Sequence, residues 1–255
     1  NKIENLPSKL LSDRYTFKKV DLADISATYK AVKESDPDLV MHLAAESHVD
    51  RSIQSPSNFV QSNILGTFNL LEAVREHWQS LPMKRKKTFK FHHISTDEVF
   101  GTLDSIGKFN ENSPYNPRSP YSATKASSDH LVRAWHHTYG LPVVITNCSN
   151  NYGPWQFPEK LIPNIILKAI TNSPIPIYGD GSNIRDWLYV DDHIAALILV
   201  SMEGQIGETY CIGGGAEKSN LEVAYAICKC LNKLLPGKKA HETLISFVKD
   251  RPGHD

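Results

Sequence analysis

Two short runs in this chain carry side chains that could do chemistry together. Tyr121 and Lys125 stand four apart, a spacing that puts both on one face of a helix. There a cation can hold a phenol ready to lose its proton. Upstream, Thr96, Asp97 and Glu98 close an apolar run and offer an acid and a base at one point. Redox and dehydration chemistry would then share one pocket. Each run alone has a plainer reading: a helix-start aromatic, a solvated lysine, and two acids capping a turn. What singles them out is their order along the chain.

The elements that must position these residues alternate between strand and helix. Residues 38–45 read as a fully buried parallel strand. Val60, Ile64, Thr67, Leu71, Val74 and Trp78 recur at spacings of three and four and define one face of a long helix. Residues 88–95 form the next strand and end at Thr96-Asp97-Glu98. Ser119 suits a helix N-cap and Pro120 the first helical turn, while Gly140 and Pro142 close that helix. Residues 142–147 give a further strand. The order predicts an α/β fold, a doubly wound parallel sheet of Rossmann-like type, active at the carboxyl ends of its strands. Beyond Gly153 the pattern loosens into Pro- and Gly-rich segments. The expected division is a dinucleotide-binding part over residues 1–153 and a smaller, mainly substrate-binding lobe over 154–255, with some segments returning to the sheet.

Composition narrows the classes. The 255 residues can bury a large core, and formal net charge is zero, which argues against a nucleic-acid surface. The basic run Lys84-Arg85-Lys86-Lys87 reads as a solvated loop. Cys148, Cys211, Cys228 and Cys230 lack metal-site or disulfide-framework spacing and read as reduced, buried thiols of a cytoplasmic protein. No acidic or Cys cluster suggests a metal. The longest apolar stretch, 194–200, is too short to span a bilayer, so no membrane partner is expected.

A dinucleotide fold needs a Gly-rich turn after its first strand so that the backbone can approach the pyrophosphate. No such turn occurs here. Gly213-Gly214-Gly215, after the strand-like 208–212, reads as a turn rather than a phosphate cradle. Together with the mid-sequence character of Arg251-Pro252-Gly253-His254-Asp255, this leads us to expect a fragment lacking both ends.

Six stretches resemble the dTDP-glucose 4,6-dehydratases, within the nucleotide-sugar branch of the extended short-chain dehydrogenase/reductase superfamily. They are HLAAESHVDRSI (42–53), STDEVFG (95–101), SPYSATKASSDHLVRAW (119–135), TNCSNNYGPWQFPEKLIP (146–163), YGDGSNIRDWLYVDDH (178–193) and KDRPGHD (249–255). The family's first two strands have no counterpart, and the 101–120 loop is shorter than in many relatives. The resemblance implies tightly held NAD and a dTDP-glucose substrate. It implies that Tyr121, aided by Lys125, takes the proton of the sugar 4-hydroxyl while Thr96 hydrogen-bonds it. Glu98 would then remove the C5 proton and Asp97 protonate the leaving 6-hydroxyl, which asks the site to hold the two carboxyls in different protonation states.

By the same resemblance, NAD meets Asp21, Leu22, Leu43, Ala44, Ala45, Ser62, Tyr121, Lys125 and Asn151. The sugar nucleotide meets Ser47, Thr96, Asn150, Lys160 and Leu161. It also meets Pro176, Ile177, Tyr178, Arg185, Asn220, Arg251 and His254, with the two arginines offering forks to its phosphates. Family members pair the helices of Val60 and Tyr121 from two subunits, so a homodimer is implied, with Trp78 and Trp135 on the faces concerned. Two other functions stay open at this stage. One is a nucleotide-sugar 4-epimerase or decarboxylase, which would not need Asp97 and Glu98. The other is a non-catalytic protein on the same fold.

Overall fold

The computed structural model describes residues 14–103, 107–236 and 239–250. Helix α1 (Ile25–Ser35) leads into strand β1 (Leu39–His42). Two short helices follow, α2 (Val49–Gln54) and α3 (Pro56–Phe59), and then a widened turn of helix over Val60–Leu65 that runs into α4 (Gly66–Ser80). The short α5 (Met83–Lys86) precedes β2 (Lys90–Thr96). Helix α6 (Pro120–Tyr139) precedes β3 (Val143–Cys148) and β4 (Asn150–Tyr152). The second half contains α7 (Leu161–Ile170), β5 (Ile175–Tyr178), β6 (Ile184–Tyr189) and α8 (Val190–Glu203). It closes with β7 (Thr209–Ile212), β8 (Glu217–Ser219), α9 (Asn220–Leu234) and β9 (Ile245–Val248).

Strands β1, β2, β3 and β7 form one parallel sheet in that order. Its two faces can be read along β2, where side chains alternate. Phe91 enters the core built from α4 and α6, with Leu70, Leu71, Val74, Val132, Val143 and Ile145. His93 points the same way, to Asp129 of α6. Lys90 and His92 point to the other face, where Lys90 donates to the Val200 and Gly204 carbonyls and His92 hydrogen-bonds Ser201, all at α8. Helices on both faces make the sheet doubly wound, as the pattern predicts. Strand β7 and α8 from the second half thus belong to this sheet. A second core gathers Ile165, Ala169, Ile175, Ile177, Ala224, Cys228 and Leu231 between α7, α9 and the parallel pair β5–β9. Strands β4, β6 and β8 make a small separate sheet.

Four expectations need correction. Strand β1 is shorter than residues 38–45 and is not fully buried: Leu39 and Met41 are exposed because β1 lies at the sheet edge among the described residues. The long helix over Val60–Trp78 is interrupted by the widened turn at 60–65, a feature that recurs at functional sites. The basic run 84–87 is not an open loop: Met83–Lys86 is the short helix α5, and Arg85 pairs with Asp36 and Asp38. The thiols are not uniformly buried: Cys228 is, Cys148 and Cys211 are half-buried and Cys230 is exposed. Gly213-Gly214-Gly215 does form a turn, with Gly214 and Ala216 donating to the Asp186 carboxylate. No helix among the described residues is long and apolar enough to cross a membrane.

Helix α6 starts where Ser119 predicts. Its hydroxyl accepts from Ser122 N, and the Ser122 hydroxyl accepts from Ser119 N, closing a reciprocal cap. The cap sets the first turn, which carries Tyr121. Ser119→Ala is expected to cost about 1 kcal/mol, or about 2–4 °C of melting temperature for a chain of this size. Thermal denaturation followed by circular dichroism checks it; an unchanged midpoint would show that the cap contributes nothing.

Candidate active site

Strand β2 ends at Thr96, whose hydroxyl caps the following turn by accepting from Glu98 N at 3.3 Å. The turn (Asp97–Phe100) places Asp97 and Glu98 on the carboxyl edge of the sheet and drops Val99 and Phe100 into a small core with Ala126. Gly101 ends it at φ 84°, and a Cβ there would lie 2.3 Å from the Asn116 carbonyl oxygen, so the acid pair depends on a glycine that lets two backbones pass.

The parallel register sets Thr96 opposite Cys148, and α6 crosses above them. Tyr121 is buried, with its hydroxyl in hydrogen-bond contact with Thr96. One helical turn on, Lys125 is also buried and its ammonium donates to the Ile94 carbonyl at 2.9 Å. Thr96, Asp97, Glu98, Tyr121 and Lys125 therefore converge at one place, although the first three and the last two come from separate elements.

The electrostatics sort the acids. Burial first, and the neighbouring Glu98 carboxylate second, push Asp97 up to about 7. A carboxyl so placed is half protonated near neutrality and can donate a proton. Burial and then Glu98 and Cys148 push Tyr121 well above its ordinary value, opposed by the Thr96 hydrogen bond. The lysine ammonium is turned to the strand carbonyl, and desolvation dominates the phenol. Lys125 is itself pushed down by burial, with Asp129 and Cys148 opposing. Burial raises Cys148 to about 12, so it is a neutral thiol.

Five of the residues expected to meet NAD, Asp21, Leu22, Ala44, Ala45 and Ser62, line one cavity of about 150 Å³ together with Val20 and Glu46. Asp21 supplies a carboxylate, and the alanine side chains leave room for a flat ligand. Leu43 is exposed at the end of β1. Asn63, from the widened turn, ties this rim to α6. Its Oδ1 accepts from Glu46 N at 2.8 Å, and its Nδ2 donates to the Glu46 carbonyl and to Thr124 Oγ1, both at 3.0 Å. Asn151 lies elsewhere, on a 220 Å³ cavity with Tyr152, Gly153, Pro154, Trp155, Gln156 and Val190. A cavity of about 150 Å³ has room for only part of a dinucleotide, and the carboxylate and small side chains on it suit one end of such a ligand. Among the described residues no cluster of three His, Cys, Asp or Glu could hold a metal ion.

The expected substrate residues spread over both halves. Lys160 donates to the Ser47 carbonyl at 2.8 Å and stands just before Leu161, which packs on the second core. Asn150 pairs with Trp187 in the β4–β6 register, and Arg185 of β6 is close enough for its charge to lower Asp97. Asn220 begins α9, with its N–H donating to the Asn183 carbonyl. Alternation along β5 turns Ile175 and Ile177 into the second core and leaves Tyr178 exposed, so the side chain of Ile177 cannot face a ligand; Pro176 is half-buried. Arg251 and His254 lie outside the described residues. Missed in the sequence were Asn63 and the buried group His93, Asp129, Tyr115 and Asn147. Asp129 left a signal: it is an acid one helical turn beyond Lys125.

A family profile described as GDP-mannose 4,6 dehydratase matches residues 1–255. A dTDP-glucose 4,6-dehydratase of Neisseria meningitidis serogroup B is 57% identical over 258 residues, covering 99% of this chain and 73% of that protein. The chain belongs to the dTDP-glucose 4,6-dehydratase family. A dehydratase of this name from Escherichia coli K12 is 53% identical, with 99% of this chain and 72% of that protein covered. Among solved structures, a dTDP-glucose 4,6-dehydratase double mutant from Streptomyces venezuelae with NAD bound superposes with a TM-score of 0.86 at 40% identity, over 97% of this chain and 71% of that one. A UDP-glucose 4-epimerase of Thermus thermophilus, also with NAD, reaches 0.84 at 28% identity, over 99% and 76%. Fold alone therefore does not separate dehydratase from epimerase, whereas sequence identity does.

The raised Asp97 has a consequence for stability. Its folded value of about 7 exceeds the ordinary 3.8, so between those values the unfolded chain gives up its proton first and stability falls as pH rises. Asp97→Asn removes that penalty. The variant is expected to melt higher than the parent at pH 8, with the difference shrinking toward zero near pH 4. Calorimetry at the two pH values checks it, and a pH-independent difference would contradict the assignment.

Proposed function

We propose that this protein dehydrates dTDP-glucose to dTDP-4-keto-6-deoxyglucose, as an NAD-dependent hydro-lyase. The observation that carries this reading is the acid pair beside Tyr121, with Asp97 raised to the point where it can donate a proton. NAD would be held by Asp21, Leu22, Leu43, Ala44, Ala45, Ser62, Asn151, Tyr121 and Lys125, and when bound it would accept hydride from C4 and return it to C6. Tyr121 takes the proton of the 4-hydroxyl, with Thr96 orienting that oxygen. The resulting ketone makes the C5 proton acidic. Glu98 removes it, and Asp97 protonates the 6-hydroxyl as it leaves as water. Ser47, Asn150, Lys160, Tyr178, Arg185 and Asn220, with Arg251 and His254, would hold the sugar nucleotide. The chain would then divide near residue 153 into a dinucleotide part and a substrate lobe, with α8 and β7 returning to the first sheet.

A 4-epimerase needs Tyr121 and Lys125 but no acid pair aimed at C5 and C6, and the epimerase relative is much less similar than the dehydratases. We take the protein to be a cytoplasmic homodimer. Four cysteines without a disulfide support the compartment. The adjacent α4 and α6, with Tyr139 exposed at the end of α6 and Val60 and Leu65 exposed in the widened turn before α4, support a two-fold helical contact. Light scattering on the full-length protein is expected to return twice the subunit mass; a monomer mass refutes the dimer.

Incubation of the full-length enzyme with dTDP-glucose, with the product identified by NMR, tests the activity; an epimerised sugar would overturn it. Tyr121→Phe is expected to suppress all turnover. Asp97→Asn and Glu98→Gln are expected to slow water loss by about 10²–10⁴-fold while transient NADH absorbance still appears. The dehydration rate of the parent should fall as pH climbs through about 7 and Asp97 ionises. Near-normal product formation by the two carboxyl variants would reduce Asp97 and Glu98 to turn formers.

A further inference from the structure

Behind the acid pair and the catalytic helix lies a fully buried carboxylate, Asp129, that the proposed chemistry does not use. It stands one helical turn beyond Lys125 on the same face of α6. Its Oδ1 hydrogen-bonds His93 Nε2 at 3.0 Å. Its Oδ2 accepts from Tyr115 Oη at 2.7 Å and from Asn147 Nδ2 at 3.2 Å. Asn147 Nδ2 also donates to the Thr96 carbonyl at 3.0 Å. Tyr115 is fixed in turn by Arg133, whose guanidinium donates to its hydroxyl at 2.8 Å and lies over its ring at 4.9 Å.

We infer that Asp129 is a positioning residue for the dehydratase reaction. Its buried carboxylate is the counter-charge that keeps Lys125 an ammonium, and through Asn147 it holds Thr96 in place, so that one side chain sets both the base on α6 and the acid pair beyond β2. The inference rests on the proposed dehydratase chemistry.

The charge assignment follows from what surrounds the group. A buried carboxylate needs a cation or several donors, since an unpaired one costs several kcal/mol. His93 is not the cation: burial, and then the charge of Lys125, drive it down to about 4, so it is a neutral donor at working pH. Its other ring nitrogen has no hydrogen-bond partner, as a neutral ring tolerates better than a charged one. Asp129 is held below the ordinary carboxylate range, against its burial, by His93, Lys125 and Tyr115. Around Lys125 stand His42 of β1, pushed well down by burial and the charges of His93 and Lys125, His93 of β2, and Cys148 of β3, a neutral thiol. Among the groups that favour the charge of Lys125, Asp129 comes first. Arg133, beyond Tyr115, is the only further charge in the group named here, and it acts on His93 and Tyr115. Without the Asp129 charge, desolvation of Lys125 would be opposed only by Cys148 and the Ile94 carbonyl, and the lysine would give up its proton more readily.

The test uses the full-length holoenzyme. Asp129→Asn keeps the shape and removes the charge. Its oxidation step, read as NADH absorbance in single turnover, is expected to be slowed about tenfold at neutral pH, with the alkaline limb of its pH profile moved down by about one unit and KM for dTDP-glucose within about twofold. Tyr115→Phe removes one donor and keeps the charge, so it should leave that limb in place. A lower melting temperature with an unmoved limb would make Asp129 purely structural and overturn the inference. Should Asp129→Asn not fold, the carboxyl ¹³C shift of Asp129 in the parent decides. It is expected to read ionised from about pH 5 to 9, and a protonated carboxyl at pH 7 overturns the inference. If the parent forms no 6-deoxy product, the proposed function fails by itself, while the carboxyl titration still reports on Asp129.

Discussion

The site hangs on a cross-tie between a helix and a strand. Lys125, buried on α6, donates its ammonium to the main chain of β2 at Ile94, and two residues later that strand delivers Thr96 and the acid pair. A charged amine in a protein interior is unfavourable unless its protons are used and its charge is answered. The strand carbonyl does the first and Asp129 the second. That requirement fixes the distance and rotation of α6 over the sheet, and with them the position of Tyr121.

From this contact the rest can be followed outward. The parallel register of β2 with β3 sets Thr96 opposite Cys148 and lets Asn147 bridge Thr96 to Asp129. Asn63, in the widened helical turn, links α6 to Glu46 on the rim of the cavity lined by Asp21, Ala44, Ala45 and Ser62. A regular helix over 60–65 would carry the Asn63 side chain round to a different bearing. The second half then leans on the first through Lys160 and the Ser47 carbonyl, and through the paired strands β4 and β6.

Burial does opposite things to the two carboxyl groups closest to the chemistry. Asp97 has one hydroxyl and a like charge beside it and is pushed up to about 7. Asp129, more deeply buried, has three donors and a lysine and stays ionised. The number of donors, more than the depth of burial, decides which carboxyl keeps its proton. A chemically identical pair of side chains can thus serve as a proton donor and as a fixed charge within one site.

Much was legible in the sequence because it depends on short spacings. The Ser119 cap, the αL glycine at 140 and the Tyr121–Lys125 interval are local matters of helix geometry, and all appear in the structure. The alternation of apolar runs specified the parallel sheet, and the dehydratase motifs specified the family. What the sequence left open depends on residues far apart in the chain. The edge position of β1, the pairing of Arg85 with Asp36 and Asp38 and the inward turn of Ile177 follow from which elements stack together. His93, Asp129, Tyr115 and Asn147 form one cluster only after β2, β3 and α6 have assembled. The protonation states of Asp97, Tyr121 and Lys125 belong to the same class, because desolvation is a property of the packed interior and a linear sequence carries no dielectric.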